Sequence, residues 1–469
     1  MGKTIFLSFL GMGKYEMTNY TLGGMRAAAT RFVQRAMVEL LSAETGAQSI
    51  DEIRVFTTPE AKEHSWEKFA GDVSLGLRHE LDEWARGAAN PPTVVAVDIP
   101  NSSDADSAWE TFSILYDALK NADDESGGGP IHVIFDITHS FRHLPMLTLL
   151  ELHFSKVVLD IHVRGIFYGE YRKEQDSPIV DLGSFSVLQD WITRTELFLH
   201  GGNARPLAEL TREQHGAAKK RRDSGVGYYR SMEEIVAGWS DLLSDIQVSR
   251  AKKIQPLAKR NVELIEDLLQ QMDEVEQMPR SLRPVTVLLN RVRAELGPMA
   301  ADGELSSGMA AVEWCMRQGL VQQAYTLARE LIVTLLCIRS GLSFTHRDSR
   351  LKAEKHINHV AGPYRKKDGA KYHESHKAKP DERQEDTMEE DSDRKNQIPL
   401  SNDILDFLAD KEELMKLWNT IADMRNDVNH AGWLDNSVKG SKLEKNLNVT
   451  ALRSLLMQAF GDADPPVAR

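Results

Sequence analysis

Ile131–Pro145 reads IHVIFDITHSFRHLP. Ile131, Val133, Ile134, Phe135 and Ile137 form a mostly apolar, β-prone run around Asp136. Thr138-His139-Ser140 and Phe141-Arg142-His143-Leu144-Pro145 follow. This pattern predicts a buried parallel strand that ends in a tight turn and opens a helix. Such a turn lies at the carboxyl edge of a sheet, where open α/β folds bind ligands. Backbone N–H groups at the helix start, the hydroxyls of Thr138 and Ser140 and the Arg142 cation suit an anion, most simply a phosphate. The same residues also make an ordinary strand-to-helix connection with a Ser or Thr cap.

Working outward, residues 1 to about 200 alternate strand and helix signals. Strands are expected at Thr4–Leu10, Ile53–Thr57 and Thr93–Ile99, and helices at Leu22–Leu41, Trp66–Trp84, Trp109–Leu119 and Leu144–Phe154. Repeated βα alternation implies a doubly wound, mostly parallel sheet of Rossmann-like α/β type. Val157–Tyr168 and Ile179–Phe185 read as an added hairpin. From Leu188 the chain turns all-α: Leu188–Phe198, Met232–Gln247, Ile254–Met272, Val285–Leu296, two helices within Glu304–Cys337, then Asn402–Asn429 and Leu447–Phe460. Residues 344–397 are highly charged and read as a mobile insertion or long loop. Three regions result: 1–200, a helical connection at 201–320 and a helical domain at 321–469.

Composition narrows the function classes. A net charge of −13 argues against coating duplex DNA with the whole surface. The basic clusters Lys219–Arg222 and Arg365–Lys367 read as solvated surface. Two cysteines, Cys315 and Cys337, cannot build a disulfide framework and fit plain packing in a reducing cytoplasm. No segment approaches the ~18 uninterrupted apolar residues of a membrane span. The N-terminus reads as a first strand rather than a signal peptide.

The first strand closes in Gly11-Met12-Gly13-Lys14-Tyr15, which fails the strict nucleotide tests. A Walker A loop needs Gly at Ser8 and Ser or Thr at Tyr15. A dinucleotide fingerprint needs Gly at Glu16. What survives is a Gly-rich turn from which Lys14 and Tyr15 project. In a doubly wound sheet it can neighbour the Asp136 turn, so that two sets of donors face one crevice. No zinc site is expected at His356/His359 or His373/His376, which lack cysteines and a clear helical frame.

Near the C-terminus stands Arg425-Asn426-Asp427-Val428-Asn429-His430. Arginine is a fixed cation and histidine moves protons near neutral pH, a pair sufficient for metal-independent RNA cleavage. Five residues span ~140° on an ideal helix, so one helix alone aligns the pair poorly. Arg425 aligns with Asn429 and Asn426 with His430, and two symmetry-related helices would frame a cleft with both sets. Alone, the hexapeptide reads better as a polar helix C-terminus with a dipole-favourable His before Gly432. Glu330 either pairs with Arg425 across the helical core or faces solvent.

In combination these stretches resemble the CRISPR-associated CARF–HEPN ribonucleases, in the branch named for its D-x-T-H-G turn. The resemblance lies in Asp136–Pro145, Gly11–Tyr15, the hairpin of Phe167–Glu170 with Pro178–Leu182, the stretch Asp190–Pro206, and the R-x4-6-H pattern of Arg425–His430. One departure is Ser140, where the family has glycine. Serine can cap the helix and donate to a phosphate, but a glycine-only backbone shape would be strained there. The resemblance implies a CARF sensor at 1–200 and a HEPN nuclease at 321–469. It also implies a homodimer or higher oligomer, and a cyclic oligoadenylate, best cyclic tetra-adenylate, held by Gly11, Met12, Gly13, Lys14, Tyr15, Asp136, Thr138, His139, Ser140 and Arg142. Arg425, Asn426 and His430 would cleave single-stranded RNA without metal or cofactor, in type III CRISPR defence. Alternatives are a non-catalytic nucleotide-sensing regulator and a ring nuclease that degrades the signal.

Overall fold

The computed structural model describes residues 2–43, 49–101, 104–139, 143–159, 161–223, 225–274, 282–364, 408, 411–429 and 438–460. The chain divides into two compact units, residues 1–189 and 190–469. The architecture is α/β followed by all-α.

The first unit is an eight-stranded sheet: β1 (Lys3–Leu10), β2 (Tyr20–Leu22), β3 (Met25–Arg26), β4 (Glu52–Thr57), β5 (Thr93–Asp98), β6 (Ile131–Asp136), β7 (Ile161–Gly169) and β8 (Ser177–Asp181). Its order is β3-β2-β8-β7-β6-β1-β4-β5. From β7 to β5 all pairings are parallel, while β8 runs antiparallel to β7. Strand side chains alternate between faces. Phe6 joins Val33, Met37, Ile53, Val55 and Leu81 in one core. Ile5, Leu7 and Phe9 join Phe56, Leu115, Leu119, Val133, Phe135 and Leu152 in the other. Both faces of β1 are therefore buried, as its continuous apolar run requires. β5 ends the sheet; it is six residues long, preceded by Pro91-Pro92 and followed after Ile99 by Pro100.

Three expected boundaries are corrected. The helix expected at Leu22–Leu41 is first a small hairpin, β2–β3, and only then a helix, Val33–Ala43. Gly23 and Gly24 take φ of 58° and 84°, which a tight two-residue hairpin turn needs and a helix does not tolerate. The helix expected at Trp66–Trp84 is broken at Ala70-Gly71, both at positive φ, and resumes as Leu77–Gly87. β8 stops at Asp181, whose Oδ1 accepts from the Gly183 N–H at 2.7 Å, and the helix Gly183–Gly201 starts there rather than after Phe185.

The second unit is helical: Arg205–Arg221, Val226–Gln247, Ala251–Glu274, Arg283–Leu296, Glu304–Arg317, Val321–Arg339, Arg347–Ala361, Glu412–Asn429, Gly440–Asn446 and Val449–Phe460. Arg205–Arg221 lies within the expected helical connection without having been delimited, Gly440–Asn446 is an additional short helix, and the expected charged loop is corrected: it begins with the helix Arg347–Ala361. That helix is held by ions: Arg350 donates to Glu330 Oε2 at 2.7 Å and to Thr334 Oγ1 at 2.9 Å. Arg329 donates to Glu330 at 2.6 Å and to Glu354. Glu330 thus pairs with Arg350 and Arg329, not with Arg425. Residues 365–397 of the expected insertion, and 402–407, 409 and 410 of the helix expected from Asn402, lie outside the described residues.

Candidate functional site

β1 and β6 are neighbours, with Ser8 in register with Asp136. From β1 the chain winds outward to β4 and β5, then returns to β6 on the other side of β1. The carboxyl ends of β1 and β6 therefore flank the topological switch point, where doubly wound sheets open a crevice. Both glycine- and threonine-bearing turns singled out in the sequence leave from there.

Asp136 is fully buried and organises the second turn. Its Oδ2 accepts from the Ser8 hydroxyl at 2.7 Å, and its Oδ1 from the Thr138 N–H at 2.9 Å and from the Thr138 hydroxyl. Burial pushes its carboxyl up to about 6 against these bonds, which pull the other way. The Thr138 hydroxyl in turn accepts from the Gly169 N–H at 2.8 Å. A Cβ at Gly169 would stand 2.4 Å from Val33 Cγ2, so only glycine lets β7 come this close. The expectation that Thr138 offers free donors is corrected: both are committed to Asp136.

The first turn is bound to the second through Tyr15. Its ring lies edge-on to His139 at 4.8 Å, and against Phe32 at 5.1 Å and Phe69 at 6.0 Å. Tyr15 does not project from the turn as expected; it is buried, which pushes its phenol up to about 12. Its hydroxyl donates to the Gly11 carbonyl at 2.8 Å and accepts from the Gly11 N–H at 3.2 Å. Met12, Gly13 and Lys14 are exposed. His139 is half-buried, its Nε2 has no hydrogen-bond partner among the described residues, and burial pushes it down to about 4, so it is neutral at pH 7. Ser140 and Arg142 lie outside the described residues.

Ser8, Gly169 and Phe32 belong to this constellation and are absent from the expected site residues. Gly169 lies in the hairpin that carries the resemblance, and Ser8 is the one hydroxyl inside the apolar run Ile5–Leu10. Beyond Tyr15, the chain is clasped to the β7–β8 hairpin: Glu16 accepts from the Tyr171 hydroxyl, and Arg26 donates to both Asp176 oxygens at 2.9 and 3.0 Å.

In the second unit, Arg425 continues the buried stripe Leu414, Trp418, Ile421 of its helix and is half-buried. Its Nε is buried without a hydrogen-bond partner among the described residues. Asn426 is exposed, and Asn429 Oδ1 accepts from Gln322 Nε2 at 3.5 Å. His430 lies outside the described residues. Elsewhere in the unit His356 is buried with its Nδ1 on the Lys352 carbonyl at 2.7 Å. Among the described residues no group of three His, Cys, Asp or Glu side chains is placed to hold a metal ion. No helix among them is long and apolar enough to cross a membrane.

Residues 5–170 match the family model described as CRISPR system endoribonuclease Csx1, CARF domain. The sheet unit is CARF-like. A CRISPR-associated protein of Methanocaldococcus jannaschii is 27% identical over 150 residues, 30% of this chain and 23% of that protein. The chain therefore spans less than a quarter of the length of the relative it matches. Among solved structures, Enterococcus italicus Csm6 bound to cyclic hexa-2'-fluoro-hexa-dAMP aligns over 99% of this chain and 96% of that chain, at 13% identity and a TM-score of 0.41.

Proposed function

We propose that this chain is a cytoplasmic, cyclic-oligoadenylate-activated endoribonuclease of type III CRISPR defence, with cyclic tetra-adenylate as the activator. The observation that carries the proposal is the meeting of the Gly11–Tyr15 and Asp136–His139 turns at the switch point of a sheet whose residues 5–170 match a CARF model. Gly11, Met12, Gly13 and Lys14 would line the ligand from one side and Thr138, His139, Ser140 and Arg142 from the other. Asp136 and Tyr15 would hold the two turns in place.

A homodimer is supported by the helix Leu144–Val158, which starts where the second turn ends. Its solvent side carries Met146, Leu149, Leu150, Phe154 and Val157, all exposed, and Trp109 of the adjoining helix Ala105–Glu125 is 68% exposed. Phe154 packs on Phe112 at 5.7 Å and Tyr116 at 5.5 Å, joining the two helices into one apolar face. An uncharged outer face of this kind is out of place on free surface and fits a second copy. A two-fold ligand suits a two-fold site.

Arg425, Asn426 and His430 would form the nuclease site, in HEPN fashion. His430 takes the proton from a ribose 2′-OH, the oxygen attacks the adjacent phosphorus, and Arg425 stabilises the added negative charge. The 5′-oxygen leaves with a proton, and the other product ends in a 2′,3′-cyclic phosphate. Ligand binding would favour the dimer state in which paired helices close on RNA.

Single-stranded RNA incubated with the full chain should be cut when cyclic tetra-adenylate is added, in the presence of EDTA, and left intact by His430→Ala and Arg425→Ala. Cleavage that persists in both variants refutes the site. Activator binding without RNA turnover indicates a non-catalytic sensor, and linear products from cyclic tetra-adenylate alone indicate a ring nuclease.

A further inference from the structure

The first turn is closed on its own side chain. Five residues after β1 the chain has folded back far enough for the Tyr15 hydroxyl to meet both main-chain polar groups of Gly11. Gly13 makes room for this: a Cβ there would lie 3.2 Å from Tyr15 Cε1. Phe32, Phe69 and His139 wall the ring in. The Gly11 N–H, the first donor beyond the carboxyl end of β1, is thereby taken by a neutral phenol oxygen.

We propose that Tyr15 occludes the first turn, and that an anionic ligand must displace its hydroxyl from the Gly11 N–H to bind. This rests on the crevice being a cyclic oligoadenylate site. The two bonds differ in the way such a device needs. The bond donated to the Gly11 carbonyl is the shorter, at 2.8 Å, and the bond accepted from the N–H the longer, at 3.2 Å. A phosphate oxygen is a stronger acceptor than a phenol, because charge-assisted hydrogen bonds are about twice as strong as neutral ones. It wins the N–H, and the phenol either keeps the carbonyl or turns away from it. His139 Nε2, buried beside the same ring and without a partner among the described residues, supplies a polar atom on that wall. Tyr15 acts here as a positioning residue that sets the threshold for the signal. It competes with the ligand rather than contacting it as a donor.

The test is calorimetric titration of the full-length chain with cyclic tetra-adenylate, alongside thermal unfolding. Tyr15→Phe keeps the packed ring and deletes the hydroxyl. It should bind about three- to tenfold more tightly, the loss of one modest competing hydrogen bond, while melting at a lower temperature. A hydroxyl with only a structural role gives the lower melting temperature with equal or weaker binding, and that result overturns the proposal. Phe32→Leu loosens the wall behind the ring and leaves the hydroxyl in place. It should shift affinity the same way by a smaller factor, and weaker binding by both variants overturns the proposal as well. If the wild-type chain binds no cyclic oligoadenylate at all, the site reading fails and the occlusion fails with it. If the wild type binds and Tyr15→Phe gains nothing, only the occlusion fails.

Discussion

Replacing Asp136 by asparagine should stabilise the sheet unit at neutral pH, although the carboxylate is buried and triply hydrogen-bonded. Burial raises its pKa from 3.8 to about 6 in the folded chain. Between those values the native state holds the proton more tightly than the unfolded chain, so the group's contribution to stability is complete below about pH 4 and is lost as pH rises through about 6. At ~1.4 kcal/mol per pKa unit, the ionised carboxylate weakens the native state by roughly 3 kcal/mol at pH 7 and above. Asparagine carries no such charge and can keep the bonds. Its Oδ1 accepts from the Thr138 N–H and hydroxyl, and its Nδ2 donates to Ser8 Oγ, whose proton then goes to the Phe9 carbonyl, now 3.1 Å away. Hydrogen exchange of β1 and β6 peptides in the full-length chain, corrected for intrinsic rates between pH 5 and 8, reads this out. The variant's advantage should grow with pH to about 1–3 kcal/mol and level off above pH 7. A difference that does not change with pH, or a variant less protected than wild type at pH 7.5, would refute the account of Asp136 as a carboxylate held against its preference.

Glu151, fully buried on the helix Leu144–Val158, is pushed by burial from 4.5 to about 7 while its Oε1 accepts from the Ser155 hydroxyl. Its contribution is complete below about pH 4.5 and lost through pH 7, so Glu151→Gln should raise the melting temperature at pH 8 and leave it nearly unchanged at pH 5. In the second unit, Gly238→Ala places a Cβ 2.0 Å from Asn261 Oδ1. The overpacking should cost about 1–3 kcal/mol in chemical denaturation, more than alanine's helix propensity returns, and adding Asn261→Ala should recover most of it.

The parallel core was legible because its strands are short runs rich in β-branched and aromatic residues: β1, β4, β5 and β6 lie within a residue or two of their expected places. What escaped reading was held by other forces. Arg205–Arg221 buries Leu207, Leu210, Thr211, His215 and Ala218, a stripe too small and polar to register as amphipathic. Arg347–Ala361 buries Ala353, His356, Ile357 and Ala361 and is docked by Arg350 and Glu354, so its charge suggested a loop where ion pairs build a helix. The glycines of Gly23-Gly24 announced the β2–β3 hairpin, but the apolar spacing beyond them suggested one continuous helix. At the candidate site the two turns were legible as chemistry, since Gly, Thr, His and Lys stood at strand ends. The inward turn of Tyr15 was not, because it depends on Phe32, Phe69 and His139, which only the fold assembles.

β5 leaves one side of its backbone ladder unmatched, and such an edge is an invitation to an incoming strand of another molecule. Here the invitation is short. Pro91-Pro92 and Pro100 bracket its six residues and lack the N–H groups that a growing ladder would use. An apolar TVVAVD segment, otherwise suited to stacking between chains, is thereby kept from nucleating fibrous assembly at high cellular concentration.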